Sequence, residues 1–572
     1  MNRTIRGTGA AEGIGIGTVF VYKPESRYVE ETHIAPEACA QELELWHRAK
    51  EQAAEELRAL AGHAGDPDSR AIMEAHIEIL NDDEIEEMVC EAITSDSASA
   101  QWAVQSSFET FIVLLSDTDN ALIAQRVSDL RDVRGRLLRV LAGGHTCDLS
   151  SLPEGTVIVT HDLFPSDTAA LDKQHVAGIV TEVGGATSHT AILARSYRLP
   201  AVLGAGEVLP LVADGEPIIV DSEAGEVLLQ PDAALLQRYQ DKKRQTELLA
   251  AQASAYMTQP CVLKSGERVS IGLNVGGEVP EELSCCDFVG LFRTEFLYMD
   301  ADHLPTEEEQ FTAYRDLLLA AEEKCVTLRT LDIGGDKQLK YMELPHEANP
   351  FLGRRAIRLC FDEPELFRTQ LRAACRASAY GRLQIMFPMI SSVEDWRRAK
   401  AITQDVMQEL EREGIDYDRD LKLGIMIEIP ATALIPDILA AEVDFASVGT
   451  NDLCQYLCAA DRLEPSVSGY YQSFSPAFLR ALRMIISAFH AAGKEVSMCG
   501  ELAGDAKAAA LLAGLGLRKF SMSAASIGRV KQALAGAELT GASALAEAAC
   551  RVKTQAEVLY LLEVGRSGSA ED

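Results

Sequence analysis

From residue 258 to residue 572 one pattern repeats: a short apolar run, then an amphipathic helical stretch. Eight runs occur: Val269–Val275, Phe288–Phe296, Val326–Ile333, Leu383–Ile390, Leu423–Pro430, Phe445–Thr450, Val496–Cys499 and Phe520–Ser523. A strand covered on both faces reads as a continuous apolar run, and helices between such runs supply the crossovers of a parallel sheet. Eight consecutive βα units predict a (β/α)8 TIM barrel over residues 258–572. The prediction constrains chemistry as well as shape, because active sites in this architecture lie at the C-terminal ends of the strands.

Polar residues gather at those ends. The second run closes on Arg293-Thr294-Glu295, and the third on Arg329-Thr330-Leu331-Asp332, with Gly334-Gly335-Asp336-Lys337 behind it. The fifth ends at Glu428, the sixth at Gly449-Thr450-Asn451-Asp452, and the seventh at Cys499-Gly500-Glu501. Arg354, Arg355 and Arg462 follow in loops. Converging arginines suit a multiply charged anion, because each guanidinium can fork onto phosphate or carboxylate. Glu428 and Asp452, with Asn451 next door, suit Mg²⁺, which takes few protein carboxylates and completes its shell with substrate oxygens and water. Cys499 is a candidate proton donor; its plainer reading is a small buried hydrophobe.

The N-terminal half reads differently. Gly7, Gly9, Gly13, Gly15 and Gly17 precede the strand-like Thr18-Val19-Phe20-Val21-Tyr22. A dinucleotide fingerprint places its glycines after a strand, so this order predicts the edge of a β-rich domain instead. Residues 21–145 carry apolar residues at helical spacing in four stretches, a helix bundle with 25 Asp+Glu against 11 Lys+Arg. Such an acidic surface suits a basic protein partner. Strand-like runs resume at Thr156–Thr160 and Pro217–Asp221. The bundle is therefore expected as an insertion in an α/β domain made of residues 1–20 and 146–230. Residues 231–257 read as a linker helix before the barrel.

Between those returning strands, Val176–Val180 leads into Gly184-Gly185-Ala186-Thr187-Ser188-His189-Thr190-Ala191-Ile192-Leu193-Ala194-Arg195. A strand, a glycine turn and a Ser/Thr helix start place His189 in the first helical turn, beside backbone N–H groups that suit phosphate. Imidazole there is a candidate phosphate acceptor. A helix-start histidine in one domain and an anion-plus-Mg²⁺ mouth in another suggest phosphoryl transfer between them.

The net charge of −34 argues against nucleic acid or an anionic membrane as partner. No apolar run is long enough to span a bilayer, and the first residues carry no apolar leader core. Thirteen scattered cysteines argue against a disulfide framework and for a reducing, cytoplasmic setting.

Gly184–Arg195 resembles the phosphohistidine signature of the phosphoenolpyruvate-utilising enzymes, and Asp444–Leu453 resembles their second signature. Phe292–Asp300, Thr330–Lys337, Asn349–Gly353 and Met498–Asp505 extend the likeness to the enzyme I group of the bacterial sugar phosphotransferase system. The resemblance implies a swivelling phosphohistidine domain with an inserted helical bundle, followed by a phosphoenolpyruvate-binding barrel that also makes a homodimer. It implies that His189 is phosphorylated, with Thr168 as a hydrogen-bond partner of its ring. Arg293 and Arg329 would hold the phosphate of phosphoenolpyruvate. Asn451 and Arg462 would hold its carboxylate end, with Asp452 also in the substrate site. Glu428 and Asp452 would ligate Mg²⁺, and Cys499 would protonate the enolate to pyruvate. The bundle would dock the phosphocarrier protein HPr.

The chain departs from the family pattern in places. Ala186 replaces the usual Arg, Ile429 and Cys454 replace usual Thr residues, the segment Gly276–Cys286 is shorter than usual, and Leu463-Glu464-Pro465 replaces a Gly-Asn. Rival readings are a dikinase or phosphoenolpyruvate synthase, which would need an ATP-binding domain; a regulatory homologue; and a Mg²⁺-dependent barrel lyase acting on an enolate, which leaves the His189 segment unexplained.

Overall fold

The computed structural model describes residues 3–567 except 12, 23–28, 64–66, 117–120, 144–148, 150–151, 164–170, 172–174, 186–187, 198, 278, 300, 335–338, 340 and 343–346. It divides into two compact units, Met1–Glu247 and Leu248–Asp572.

The first unit is built on one sheet of eight strands: β1 (Arg3–Arg6), β2 (Thr8–Ala11), β3 (Ile14–Tyr22), β4 (Thr156–Thr160), β5 (Val176–Thr181), β6 (Ala201–Leu203), β7 (Pro217–Asp221) and β8 (Glu226–Leu229). Their order is β1-β8-β7-β3-β4-β5-β6-β2. The neighbours β3, β4, β5 and β6 run parallel; all other pairings are antiparallel. The glycine-rich start therefore does more than form an edge. β1 and β2 close the two opposite edges, while β3 lies inside the sheet between β7 and β4. Val19, Val157, Val159, Val180, Val202 and Val220 fill one apolar layer beside this sheet, and Ile158, Ile179, Ala191 and Leu203 fill another.

Among the described residues, five α-helices rather than four run between β3 and β4: α1 (Cys39–His63), α2 (Pro67–Leu80), α3 (Asp83–Thr94), α4 (Ala100–Ser116) and α5 (Ala121–Leu141). The extra break falls at Asn81-Asp82. Asp82 leaves the helical conformation, and its carboxylate accepts from the N–H groups of Glu84 and Ile85 at 3.0 and 3.1 Å. A side-chain cap of this kind competes with helix continuation and starts a new helix at a new angle. The apolar periodicity runs across the break, so periodicity alone merges α2 and α3. Trp46, Leu57, Met73, Val89, Ile93, Val104, Phe108 and Leu137 form the buried seam of the bundle.

Two more helices matter for function. α6 (His189–Tyr197) follows β5, and α7 (Ala233–Tyr256) follows β8. The early part of α7 is tied to the sheet by Lys242 Nζ on Asp221, 2.6 Å.

The second unit is a closed barrel. β9 (Ser270–Val275), β10 (Phe288–Arg293), β11 (Val326–Arg329), β12 (Leu383–Phe387), β13 (Lys422–Ile427), β14 (Phe445–Val448), β15 (Glu495–Met498) and β16 (Lys519–Met522) pair in sequence, all parallel, and β16 returns to β9. Its helices are strongly signalled. Thr306 and Glu309 form a reciprocal capping box ahead of Glu307–Ala321. Ser392 caps the start of Val393–Glu413, and Gly414 in the left-handed region ends it. Most of the apolar core lies between strands and helices. A separate small cluster, Leu291, Met386, Met426, Phe445 and Cys499, plugs the barrel interior.

Candidate active site

The C-terminal ends of the barrel strands surround a cavity of about 580 Å³. Arg293, Arg329, Glu428, Asn451, Asp452, Arg462 and Cys499 all line it, as do Glu295, Asp332, Arg355, Tyr471 and Glu501. The barrel thus brings together seven of the eight residues predicted from sequence; the eighth, His189, belongs to the first unit. Arg354 does not join them. It pairs with Asp362 and Glu363, both at 2.8 Å.

The arginines divide into two kinds. Arg329 and Arg355 are buried and committed. Arg329 pairs with Glu295 and, at 3.0 Å, with Asp332. Arg355 contacts the same Asp332 at 2.9 Å and Asp452 at 3.5 Å. Arg293 and Arg462 line the cavity without a side-chain hydrogen bond or ion pair to any described residue, so their guanidinium groups are available to an anion. The fixed pair and its carboxylates make a charge-paired floor, and the open pair is free to take a ligand.

Two carboxylates face this floor. Glu428 is buried, and one of its oxygens accepts from Met389 N–H at 2.6 Å. Burial, with Asp452 and Asp332 close by, pushes its carboxyl well above the ordinary range, against the pull of Arg329 and Arg355. Asp452 Oδ1 is buried and has no hydrogen-bond partner among the described residues. A buried oxygen left unpaired costs free energy unless a ligand takes it. The local backbone makes room for the pair: a Cβ on Gly449 would lie 2.7 Å from Glu428 Oε2. On Gly500 it would lie 1.9 Å from Thr450 Oγ1.

Cys499 is 3% exposed, on the apolar plug below the cavity, and its sulfur faces the Val448 carbonyl at 3.8 Å. Burial pushes this thiol up and keeps it protonated, while Ser447, Arg329 and Arg293 would favour the thiolate left after proton donation. Asn451 is held by reciprocal bonds with Glu501: its amide donates to Oε1 at 3.1 Å and its Oδ1 accepts from the Glu501 N–H at 2.9 Å.

Sequence reading missed the residues behind this front. Asn274 donates to the Cys499 carbonyl at 2.9 Å and accepts from Ser521 Oγ at 2.6 Å. Gln370 is fully buried, accepts from Leu331 N–H at 2.8 Å and donates to Thr294 Oγ1 at 3.1 Å, locking the ends of β10 and β11. Asparagine inside a strand is an available signal, since strands are depleted in it. Gln370 sits in an ordinary helical stretch and offers none.

In the first unit, α6 begins at His189. Gly184, at φ +99°, turns the chain into it. Ser188 Oγ accepts from Ala191 N–H at 3.3 Å, which makes Ser188 the helix cap. Thr190 anchors the first turn through Leu163 O at 3.2 Å. Thr168 and Ala186 lie outside the described residues.

Three family models cover most of the chain: the N-terminal domain of phosphoenolpyruvate-utilising enzymes over residues 6–126, their mobile domain over 152–225, and their phosphoenolpyruvate-binding domain over 250–539. The phosphoenolpyruvate-protein phosphotransferase of Staphylococcus carnosus is 41% identical across 98% of this chain and 99% of its own length. This chain belongs to the phosphoenolpyruvate-utilising enzyme family. The Bacillus subtilis phosphoenolpyruvate-protein phosphotransferase is 43% identical across 91% of this chain and 92% of its own. A solution structure of an Enzyme I (nEIt) protein is 34% identical, covering 42% of this chain and 99% of that one, at a TM-score of 0.38. Family membership gives the two halves of the chain one purpose, since the matched domains include both a mobile domain and a phosphoenolpyruvate-binding domain.

Proposed function

We propose that this chain is a phosphoenolpyruvate–protein phosphotransferase of the bacterial sugar phosphotransferase system. It moves the phosphoryl group of phosphoenolpyruvate to His189, and from there to the histidine of the phosphocarrier protein HPr, releasing pyruvate. The observation that carries this reading is the cavity at the barrel mouth, where open arginines, buried arginines, two carboxylates and a protonated thiol face one volume. Arg293 and Arg329 hold the phosphate, and Arg462 and Asn451 hold the carboxylate end. Cys499 stores the proton that the enolate carbon takes when the phosphoryl group leaves.

The residues fit Mg²⁺. Asp452 Oδ1 is buried and unpartnered among the described residues, and Glu428 is crowded by other carboxylates that a cation would relieve. Two protein carboxylates plus substrate oxygens are an ordinary Mg²⁺ set. Bound there, Mg²⁺ supplies positive charge to the phosphate oxygens.

The acidic balance of residues 21–145 and the exposed Val113 and Leu114 of α4 support docking of a basic carrier on the bundle. Exposed Leu352, Leu434, Ile438 and Leu457, in the segments that follow β11, β13 and β14, support a homodimer through the barrel. Among the described residues no helix is long and apolar enough to cross a membrane. The described cysteines are free thiols, which supports a cytoplasmic setting. Because His189 and the mouth belong to different units, the reaction requires those units to approach and separate.

The test is labelling. Phosphoenolpyruvate carrying labelled phosphate, with Mg²⁺, should place acid-labile label on the protein and release pyruvate. His189→Ala should take up none. Label retained by that variant would refute the assignment.

A further inference from the structure

The Asn451–Asp452 segment opens a short helix, Thr450–Cys458, and the far end of that helix carries an arrangement the proposed reaction does not use. Cys454 and Cys458 lie one turn apart, with their sulfur atoms 3.9 Å from each other. We propose that Cys454 and Cys458 form a reversible disulfide that loosens the barrel mouth, a peroxide-responsive switch resting on the reading of that mouth as the phosphoenolpyruvate site.

Helix geometry places residues i and i+4 about 6 Å apart at Cα, inside the span a disulfide bridges. Their Cβ atoms stand about 5–6 Å apart, wider than the roughly 4 Å a disulfide needs. Closing the bond therefore draws in the last turn of the helix. That turn is able to yield. It ends at Ala459, a non-glycine residue at φ +49°, and Cys458 is its final helical residue.

The same turn is tied to the mouth. Gln455, between the two cysteines, accepts at Oε1 from the Arg462 N–H at 3.1 Å, and its carbonyl accepts from Ala460 N–H at 3.1 Å. At the start of the helix, the Tyr471 hydroxyl donates to the Asn451 carbonyl at 3.4 Å. Arg462 and Tyr471 both line the cavity. Moving the two sulfurs together shifts Gln455 and pulls on Arg462.

The chemistry balances with a hydroperoxide as oxidant. The partly exposed Cys458 sulfur attacks the peroxide, breaking the O–O bond, and becomes a sulfenic acid while water or an alcohol leaves. Cys454 then displaces the sulfenic oxygen as water and forms the S–S bond. Two thiols lose two electrons, and the peroxide gains two. An external dithiol reverses the reaction. A bond that must deform its helix is easily reduced, as a cytoplasmic switch requires.

The experiment treats the full chain with hydrogen peroxide and maps alkylated peptides by mass. The 454–458 peptide should lose two hydrogens and regain them with dithiothreitol. The KM for phosphoenolpyruvate should rise about tenfold, the loss of one charge-assisted contact, and return on reduction. Cys458→Ser and Cys454→Thr should show normal reduced activity and no reversible rise. Two alkylatable thiols persisting at 454 and 458, a disulfide with unchanged KM, or an equal reversible rise in both variants would each overturn the switch. Cys499→Ala should still form the bond by mass, which separates this chemistry from oxidation at the active site. Failure of the reduced protein to be phosphorylated would instead sink the functional reading, and the mass map would still decide whether the bond forms.

Discussion

Both halves of this protein bury charge, and the two clusters differ in one respect. In the helical bundle the buried ionisable groups are each partnered. Arg136 and Arg139 share Glu56 at 2.8 and 2.9 Å, and buried His76 lies between Asp129 at 3.3 Å and Asp132 at 3.7 Å. At the barrel mouth the pairing is incomplete. Arg329 Nε, Thr450 Oγ1 and Asp452 Oδ1 are buried with no hydrogen bond to any described residue, while Arg293 and Arg462 have open guanidinium groups. Burial alone does not mark a functional site. Buried charged side chains with atoms left unsatisfied, as Arg329 Nε and Asp452 Oδ1 are, do so, because the folded chain has given up hydration of a charge that a ligand restores.

That contrast can be broken by mutation. At the mouth, Cys499→Ala should slow pyruvate formation by about 10²–10⁴-fold, as loss of a positioned proton donor does. Phosphoryl exchange from labelled His189 to HPr should change little. Equal loss of both rates would remove the proton-donor role. Asp452→Asn keeps the shape of the side chain and should weaken the apparent Mg²⁺ affinity by at least about tenfold, with little change in Tm. A Tm collapse at unchanged Mg²⁺ dependence would make Asp452 structural, like the bundle charges.

In the bundle the expectation reverses. Arg136→Ala should cost the first unit about 1–3 kcal/mol of stability, the usual loss for a buried hydrogen bond to a charged group. Phosphoenolpyruvate binding at the barrel should stay the same, as isothermal titration would show; weaker binding would mean that the matched cluster serves the site after all.

The smallest effect concerns pH. Burial and its carboxylate neighbours push Glu428 up to about 8, from an ordinary value of 4.5. Between those values the folded barrel holds a proton that the unfolded chain has released, so metal-free stability should fall as pH rises through that window. Mg²⁺ should flatten the decline, because it replaces the proton. Tm profiles of wild type and Glu428→Gln, with EDTA or Mg²⁺, give the test. A slope unchanged in Glu428→Gln would assign the effect to other groups.

Much of this is legible in the sequence. The apolar runs announced the barrel because a strand buried on both faces has no polar residue to spare. Their ends announced the mouth because barrel loops place strand-end residues around one axis. The merged reading of α2 and α3 shows where this stops. Apolar periodicity reports which face is buried and continues through a break; only Asp82, by folding its carboxylate onto the backbone, ends one helix and begins another. Likewise, the glycine-rich start announced strands but not that β3 would lie inside the sheet, since strand order depends on partners far along the chain.

By itself the sequence determined the identities of the chemical groups, the alternation that closes the barrel, and the helix start at His189. Those follow from local rules: side-chain chemistry, period and capping. Tertiary structure alone decided which charges are paired within the protein. Arg329 ends a barrel strand as Arg293 does, and Arg355 lies in a loop as Arg462 does, so nothing local separates the paired arginines from the open ones. Asp332 and Glu295 neutralise Arg329 and Arg355 because the closed barrel sets them within ion-pair distance, and that closure leaves the other two open to a ligand.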